Sequence, residues 1–536
     1  MWAFRAQRPR PTNNRRQCLC PVDKPCCPAS HRAPDTGDLA ESGMAQTPVL
    51  IGIDIGTSSV KAVMLDMTGT SLAAYAQAYG MARPEPGAAV QDPADWMHHV
   101  EAALAGFARH PRAQEVAAIG VTSQVNTHVF CDAGCAPLAP ALTWQDTRPG
   151  AQGARLDGRI TPEAKVAALG APIPIDASHA LARMAWMAEE HPEVWTRTAS
   201  VLSPKDYAIA RLSGQVVADP IASIGLVGTD LAYAAPVLDL VPGAATRLPE
   251  LRDPLAVAGH VGAGRPFAGR PVATGTMDAW ASMFGLGVAD DGQAMYLSGS
   301  SEVLGLISRT VTGSAGAVTF PPWRGITLHA GPTQAGGAAL AWLAQLLGED
   351  LCTIDRLASG ARLDLRSPLF LPHLEGERAP LWDPISRGAF IGLDSASGPA
   401  ELVLAVMEGV AYSARAALEA VEASGGRAAQ TLGFGGGGAR SDAWAQIRAN
   451  ALGRRLSRVA VPEAGAVGAA AMAAVAAGIT RTVPEATQAV VAMDRDFEPD
   501  KAASALAEDR YELFRELYPA VSPLHRRMAR TGARTP

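Results

Sequence analysis

The strongest constraint on this chain is a motif that occurs twice. Val49–Ile55 is a short apolar run broken by one acid, Asp54; Gly56-Thr57-Ser58-Ser59 reads as a turn and Val60–Asp66 as a second strand. Roughly 240 residues later, Gln293–Ser298, Gly299-Ser300-Ser301 and Glu302–Ser308 repeat strand, small-residue turn and strand, a spacing far beyond any solenoid period. The repeat therefore predicts two similar domains, each opening on a hairpin, and the 536 residues are enough for both.

Other segments fill in an alternation of strands and helices. Asp95–Phe107 and Ala400–Ala420 read as helices, Val116–Thr122 and Leu432–Phe434 as strands, and Val272–Gly275 as a buried strand before a helix over Asp278–Gly285. The Ala/Gly-rich run around Gly465–Ala477 reads as a helix of small residues, too short to span a membrane. With 48% hydrophobic and 18% charged residues, most of the chain can bury a core. The formal charge of −6 argues against a dedicated nucleic-acid binder.

Residues 1–43 differ from the rest. They hold six prolines and six arginines, no apolar periodicity and no run that could serve as a secretory signal. Their expected state is a disordered extension, and Met44, just before the first strand, is an equally good start for the protein. Cys18, Cys20, Cys26 and Cys27 lack the usual zinc spacing. Only Cys131, Cys135 and Cys352 follow, as expected of a cytoplasmic protein rather than a disulfide scaffold.

Four constellations can carry chemistry. A turn of Gly, Thr and Ser can aim amides and hydroxyls at phosphate, with Asp54 placed to hold Mg²⁺ and Lys61 following, although such turns are also ordinary hairpin chemistry. Thr274-Gly275-Thr276-Met277-Asp278 puts an acid at a strand-to-helix mouth, as a general base or as a helix cap. Gly435–Gly438, followed by a helix from Ser441, lets a ring or phosphate approach the backbone, unless it is a linker. Gly376-Glu377-Arg378-Ala379-Pro380 reads first as a loop fixed by an ion pair.

Together these segments resemble the FGGY family of carbohydrate kinases, and within it most of all the xylulokinases. The resemblance runs in order from Gly52-Ile53-Asp54-Ile55-Gly56-Thr57-Ser58 through Trp144-Gln145-Asp146-Thr147-Arg148, Pro204-Lys205-Asp206-Tyr207, Gly275-Thr276-Met277-Asp278 and Gly376–Pro380 to Gly436-Gly437-Gly438-Ala439-Arg440-Ser441. It implies an α/β fold of two actin-like (ribonuclease H-like) domains with a catalytic cleft between them, here 44–288 for sugar and catalysis and 289–536 for nucleotide. It implies transfer of the γ-phosphoryl of ATP to a sugar hydroxyl with Mg²⁺, a ketopentose being the expected acceptor and another sugar, a polyol or a non-catalytic sensor the alternatives. Carried over, Asp278 is the general base and also contacts the sugar, Asp54 is the metal-side acid, and Thr57, Ser58, Lys61, Gly299, Ser300 and Ser301 face phosphate. Gly436, Gly437 and Ser441 face adenosine. Where glycerol kinases have Arg-Glu and xylulokinases Met-His, this chain has Gln124-Val125-Asn126, and these three, with His179, are the expected sugar contacts. Arg183 stands where the family signature wants Lys, and Glu302 where xylulokinases often have Gly. The implied partners are sugar and ATP, with no nucleic acid and no membrane, and a homodimer is left open.

Overall fold

A computed structural model describes residues 47–360 and 362–532, so the expectations for residues 1–43 and Met44 lie outside the described residues. Two mixed sheets carry the chain. The first runs in the order Val257–His260, Pro271–Ala273, Val116–Ser123, Val49–Ile55, Ser59–Asp66, Ser71–Ala78. The second runs Val318–Thr319, Thr327–Pro332, Glu302–Ser308, Ala294–Ser298, Thr431–Gly435, Arg455–Val459, Met493–Phe497.

Each sheet is built around its hairpin in the same way. The two hairpin strands are antiparallel, the next strand extends them antiparallel, and the first hairpin strand pairs in parallel with a strand that follows a long helical connection. The repeat read from the sequence is thus a repeat of topology, and the expected α/β architecture of two actin-like halves is present.

The first strand shows why its sequence is apolar on both sides. Val49, Ile51, Ile53 and Ile55 share a core with Trp96, Val100 and Leu104 of the helix Pro93–Phe107. Leu50, on the other face, meets Ala466, Val467 and Ala470 of the helix Ala464–Ala476. A strand buried on both faces cannot alternate polar and apolar residues. The helix Ala464–Ala476 comes late in the chain, after Arg455–Val459 of the second sheet, yet it packs on the first sheet and on the helix Asp278–Gly285. Its contacts are backbone to backbone. A Cβ at Gly52 would lie 1.7 Å from Ala466 O, one at Gly120 1.9 Å from Ala469 O, and one at Gly468 1.7 Å from Ala281 O. Small residues at this crossing are a requirement of distance. Among the described residues no helix is long and apolar enough to cross a membrane.

Candidate active site

The first turn closes with Gly56 N donating to Ser59 O at 3.0 Å. Thr57 is held from two sides: its Oγ1 accepts from Trp144 Nε1 at 3.0 Å, and its carbonyl accepts from Gln91 Nε2 at 2.6 Å. Gln91 Oε1 in turn accepts from Gln124 Nε2 at 2.9 Å. An expected phosphate-side residue and an expected sugar contact are therefore two links apart, through a glutamine that sequence reading did not single out. Ser58 is exposed at the turn, and exposed Lys61 sits across the hairpin from Asp54.

Asp278 is the first residue of its helix rather than the cap. Met277 occupies the cap position, and the Asp278 carboxylate accepts from Ala279 N at 2.8 Å. The preceding turn needs Gly275, whose φ is +63° and whose Cβ would fall 2.2 Å from Val121 O. Thr276 is pinned at both ends. Its carbonyl accepts from Thr122 Oγ1 at 2.6 Å, and its Oγ1 donates to Asp219 Oδ1 at 2.7 Å. Asp219 is paired with Lys205 at 2.9 Å, both fully buried. Burial opposes the Lys205 ammonium, but the charges of Asp206 and Asp219 outweigh it and hold its pKa above the usual range.

Burial drives two carboxylic acids out of their ordinary range. It pushes Asp278 up to about 7, helped by the nearby Asp54 charge, and Asp54 up to about 6, opposed by Lys61. Asp54 Oδ1 is sealed from solvent without a hydrogen-bond partner, and Gly465 of the small-residue helix presses on its Oδ2 side. An acid left this unsatisfied fits a divalent cation, which would supply the missing charge.

Val125 and Asn126 line the same region. Val125 packs against the cluster that contains Met277 and Trp280, flanking Asp278. Asn126 has φ +53°, and its amide donates to Ser178 Oγ at 3.4 Å. Its unusual backbone is held by Arg183, which donates to Asn126 O, to Leu142 O at 3.0 Å and to Thr143 O at 2.5 Å. His179 is placed differently: its Nδ1 caps its own helix by accepting from Leu181 N, and the ring packs against Gly225.

On the other side, Gly299 N donates to Ser301 O at 3.0 Å to close the second turn. The turn's Gly299 and Ser300 carbonyls accept from Gly337 N and Ala338 N, at the start of the helix Gly337–Leu347. Arg378 reaches Ser301 Oγ at 3.1 Å, so the loop Gly376–Pro380 braces this turn, and Glu377 accepts from Gln334 N and Ser413 Oγ. The glycine loop lies beside it: Gly436 has φ +91°, and a Cβ there would fall 2.3 Å from Ser298 O. A cavity of about 270 Å³ opens along Gly435, Gly436, Ala439, Arg440 and Arg458. Gly437 has open space beside it, and Ser441 caps the helix Asp442–Leu452 by accepting from Trp444 N at 3.0 Å. Sequence reading found the turns and the acids. It noted Arg183, Lys205 and Glu302 but not their partners: Arg183 with the carbonyls of Asn126, Leu142 and Thr143, Lys205 with Asp219, and Glu302 with Arg448, which only the fold brings together.

Comparison with known proteins gives the family. Residues 49–285 match the N-terminal domain, and residues 294–477 the C-terminal domain, of the FGGY family of carbohydrate kinases. The chain is 29% identical to a xylulose kinase of Escherichia coli K12, over 88% of this chain and 99% of that protein. It is 33% identical to one of Streptomyces rubiginosus, over 80% and 88%. Among solved structures, one described as a xyloylose kinase from Brucella ovis superposes with a TM-score of 0.78 at 28% identity, covering 89% of this chain and all of the other.

Proposed function

The chain belongs to the FGGY family of carbohydrate kinases, and from that premise we propose that it phosphorylates a ketopentose, with xylulose the first acceptor to test. The observation that carries the mechanism is geometric: Asp278 opens a helix at a strand-to-helix mouth whose position is fixed by Gly275 and Thr276, and Asp54 holds a buried carboxylate oxygen without a partner. Asp278 takes the proton of the acceptor hydroxyl. The hydroxyl oxygen forms a bond to the γ-phosphorus of ATP as the bond from that phosphorus to the β-bridging oxygen breaks, and ADP leaves with the electron pair. Thr57, Ser58, Gly299, Ser300 and Ser301 offer amides and hydroxyls to the phosphates, and Gly436 and Gly437 offer a close backbone to adenosine. Asp54 would hold Mg²⁺, which when bound neutralises phosphate charge.

Gln124, Val125 and Asn126 meet the sugar in this reading. Two amides with both donor and acceptor capacity also suit other polyhydroxylated acceptors, so the alternative is another sugar or polyol of the same family. A non-catalytic sensor is disfavoured by an intact base and two intact turns. The division of labour between 44–288 and 289–536 and a cytoplasmic location belong to the same proposal. Sugar-dependent ADP release across pentuloses, hexuloses and polyols tests it. The expected result is the highest kcat/KM with a ketopentose, and absence of stimulation by every acceptor would overturn it.

A further inference from the structure

Behind the second turn lies an ion pair fully closed to solvent. Arg448, on the helix Asp442–Leu452, places Nη2 2.9 Å from Glu302 Oε1 and 2.8 Å from Ser298 Oγ. Those two residues flank the turn Gly299–Ser301, one at the end of the strand before it and one at the start of the strand after it. The same guanidinium donates through Nη1 to Gly438 O at 2.9 Å, in the glycine loop, and through Nε to Tyr296 OH at 3.1 Å. Its planar face lies 3.6 Å from the Trp444 ring centroid. Glu302 N donates to Thr333 Oγ1 at 3.2 Å, while Glu302 Oε2 has no partner.

The arrangement is more than a core needs. A buried ion pair offers little stability over a well-packed apolar pair, because desolvation offsets the attraction. What this one does is join two loops, remote in sequence, with one rigid fork whose bonds have fixed directions. The loop also comes close to the strand before the turn at Gly438, where a Cβ would lie 2.1 Å from Ser298 Oγ.

We propose that Arg448 and Glu302 are positioning residues that lock the phosphate-side turn Gly299–Ser301 and the adenosine-side loop Gly436–Gly438 into one preorganised nucleotide seat. The inference rests on the nucleotide assignment made above. It separates positioning from stability, because the two depend on different features of the pair. Single replacement strands a buried charge and costs stability whatever the pair's role. The double replacement Arg448→Met with Glu302→Leu removes both charges and keeps apolar volume, so stability returns while the directional bonds do not.

The test measures melting temperature, equilibrium binding of a fluorescent ATP analogue, and KM for ATP and for the acceptor, in wild type, both single variants and the double variant. The singles should melt lower. The double should recover most of the melting temperature yet bind the analogue about tenfold more weakly, with KM for ATP raised alike and KM for the acceptor unchanged. A double variant that recovers both melting temperature and wild-type nucleotide affinity overturns the proposal and leaves the pair a packing feature. If the singles do not fold, the comparison of double with wild type decides. Wild type failing to bind the analogue would overturn the nucleotide assignment beneath the inference, an outcome distinct from the variants binding as wild type does.

Discussion

At the scale of single residues, the two raised acids set the pH behaviour. Asp278 must be ionised to accept a proton, so sugar-dependent turnover should rise with pH up to about 7 and then level off. Asp278→Asn keeps size and shape but not basicity, and turnover should fall about 10²–10⁴-fold with nucleotide binding retained. Near wild-type turnover in that variant would remove Asp278 as the base. Stability runs the other way. Asp54 and Asp278 bind protons more tightly folded than unfolded, so their contribution is full below about pH 4 and is lost as pH rises through 6 and 7. Asp278→Asn should therefore melt above wild type at pH 8, with the gap closing toward pH 4; a gap independent of pH would show that burial is not the cause. For Asn126, whose φ of +53° glycine tolerates and alanine does not, Asn126→Gly is the clean deletion of the amide. Loss of its hydrogen bond should raise the acceptor KM by the equivalent of about 1–3 kcal/mol and leave KM for ATP alone. A change confined to ATP would take Asn126 out of the sugar pocket.

At the scale of elements, glycine has opposite meanings in two helices. Gly106, in Pro93–Phe107, has open space where a Cβ would go, so Gly106→Ala should stabilise by about 0.5–1 kcal/mol through helix propensity. Gly468, in Ala464–Ala476, has Ala281 O at 1.7 Å from that position, so Gly468→Ala should destabilise by about 1–3 kcal/mol or more. Denaturant unfolding of the two variants checks both signs, and equal shifts would refute the close crossing. The elements that sequence reading found were those with a buried face or a sharp boundary: both hairpins and the helix Asp278–Gly285 match within a residue or so. It passed over Ser71–Ala78 and Met493–Phe497, edge strands that are largely exposed and therefore carry no apolar alternation. In the site, a small-residue turn and an acid before a helix are local patterns and were legible. His179 is an expected sugar contact through the resemblance alone, and its second role, the Nδ1 cap of its own helix, has no signal in the neighbouring sequence.

At the scale of the whole molecule, the helix Ala464–Ala476 means that the first sheet is finished by the last third of the chain. A fragment of residues 47–288 would leave the Gly52 and Gly120 face of its sheet uncovered. It should show no cooperative thermal transition, whereas residues 47–532 should unfold in one; a sharp, reversible transition in the fragment would show that the late helix is dispensable. The same feature governs synthesis. When Gly285 has left the ribosome, the covering helix is still about 190 residues away, which at roughly 5–20 residues per second is a wait of about 10–40 s. Through that interval the nascent chain carries a bare, glycine-floored apolar sheet, a binding site for a holdase. Slowing translation downstream of Gly285 should lower soluble yield more than slowing it after Ala476.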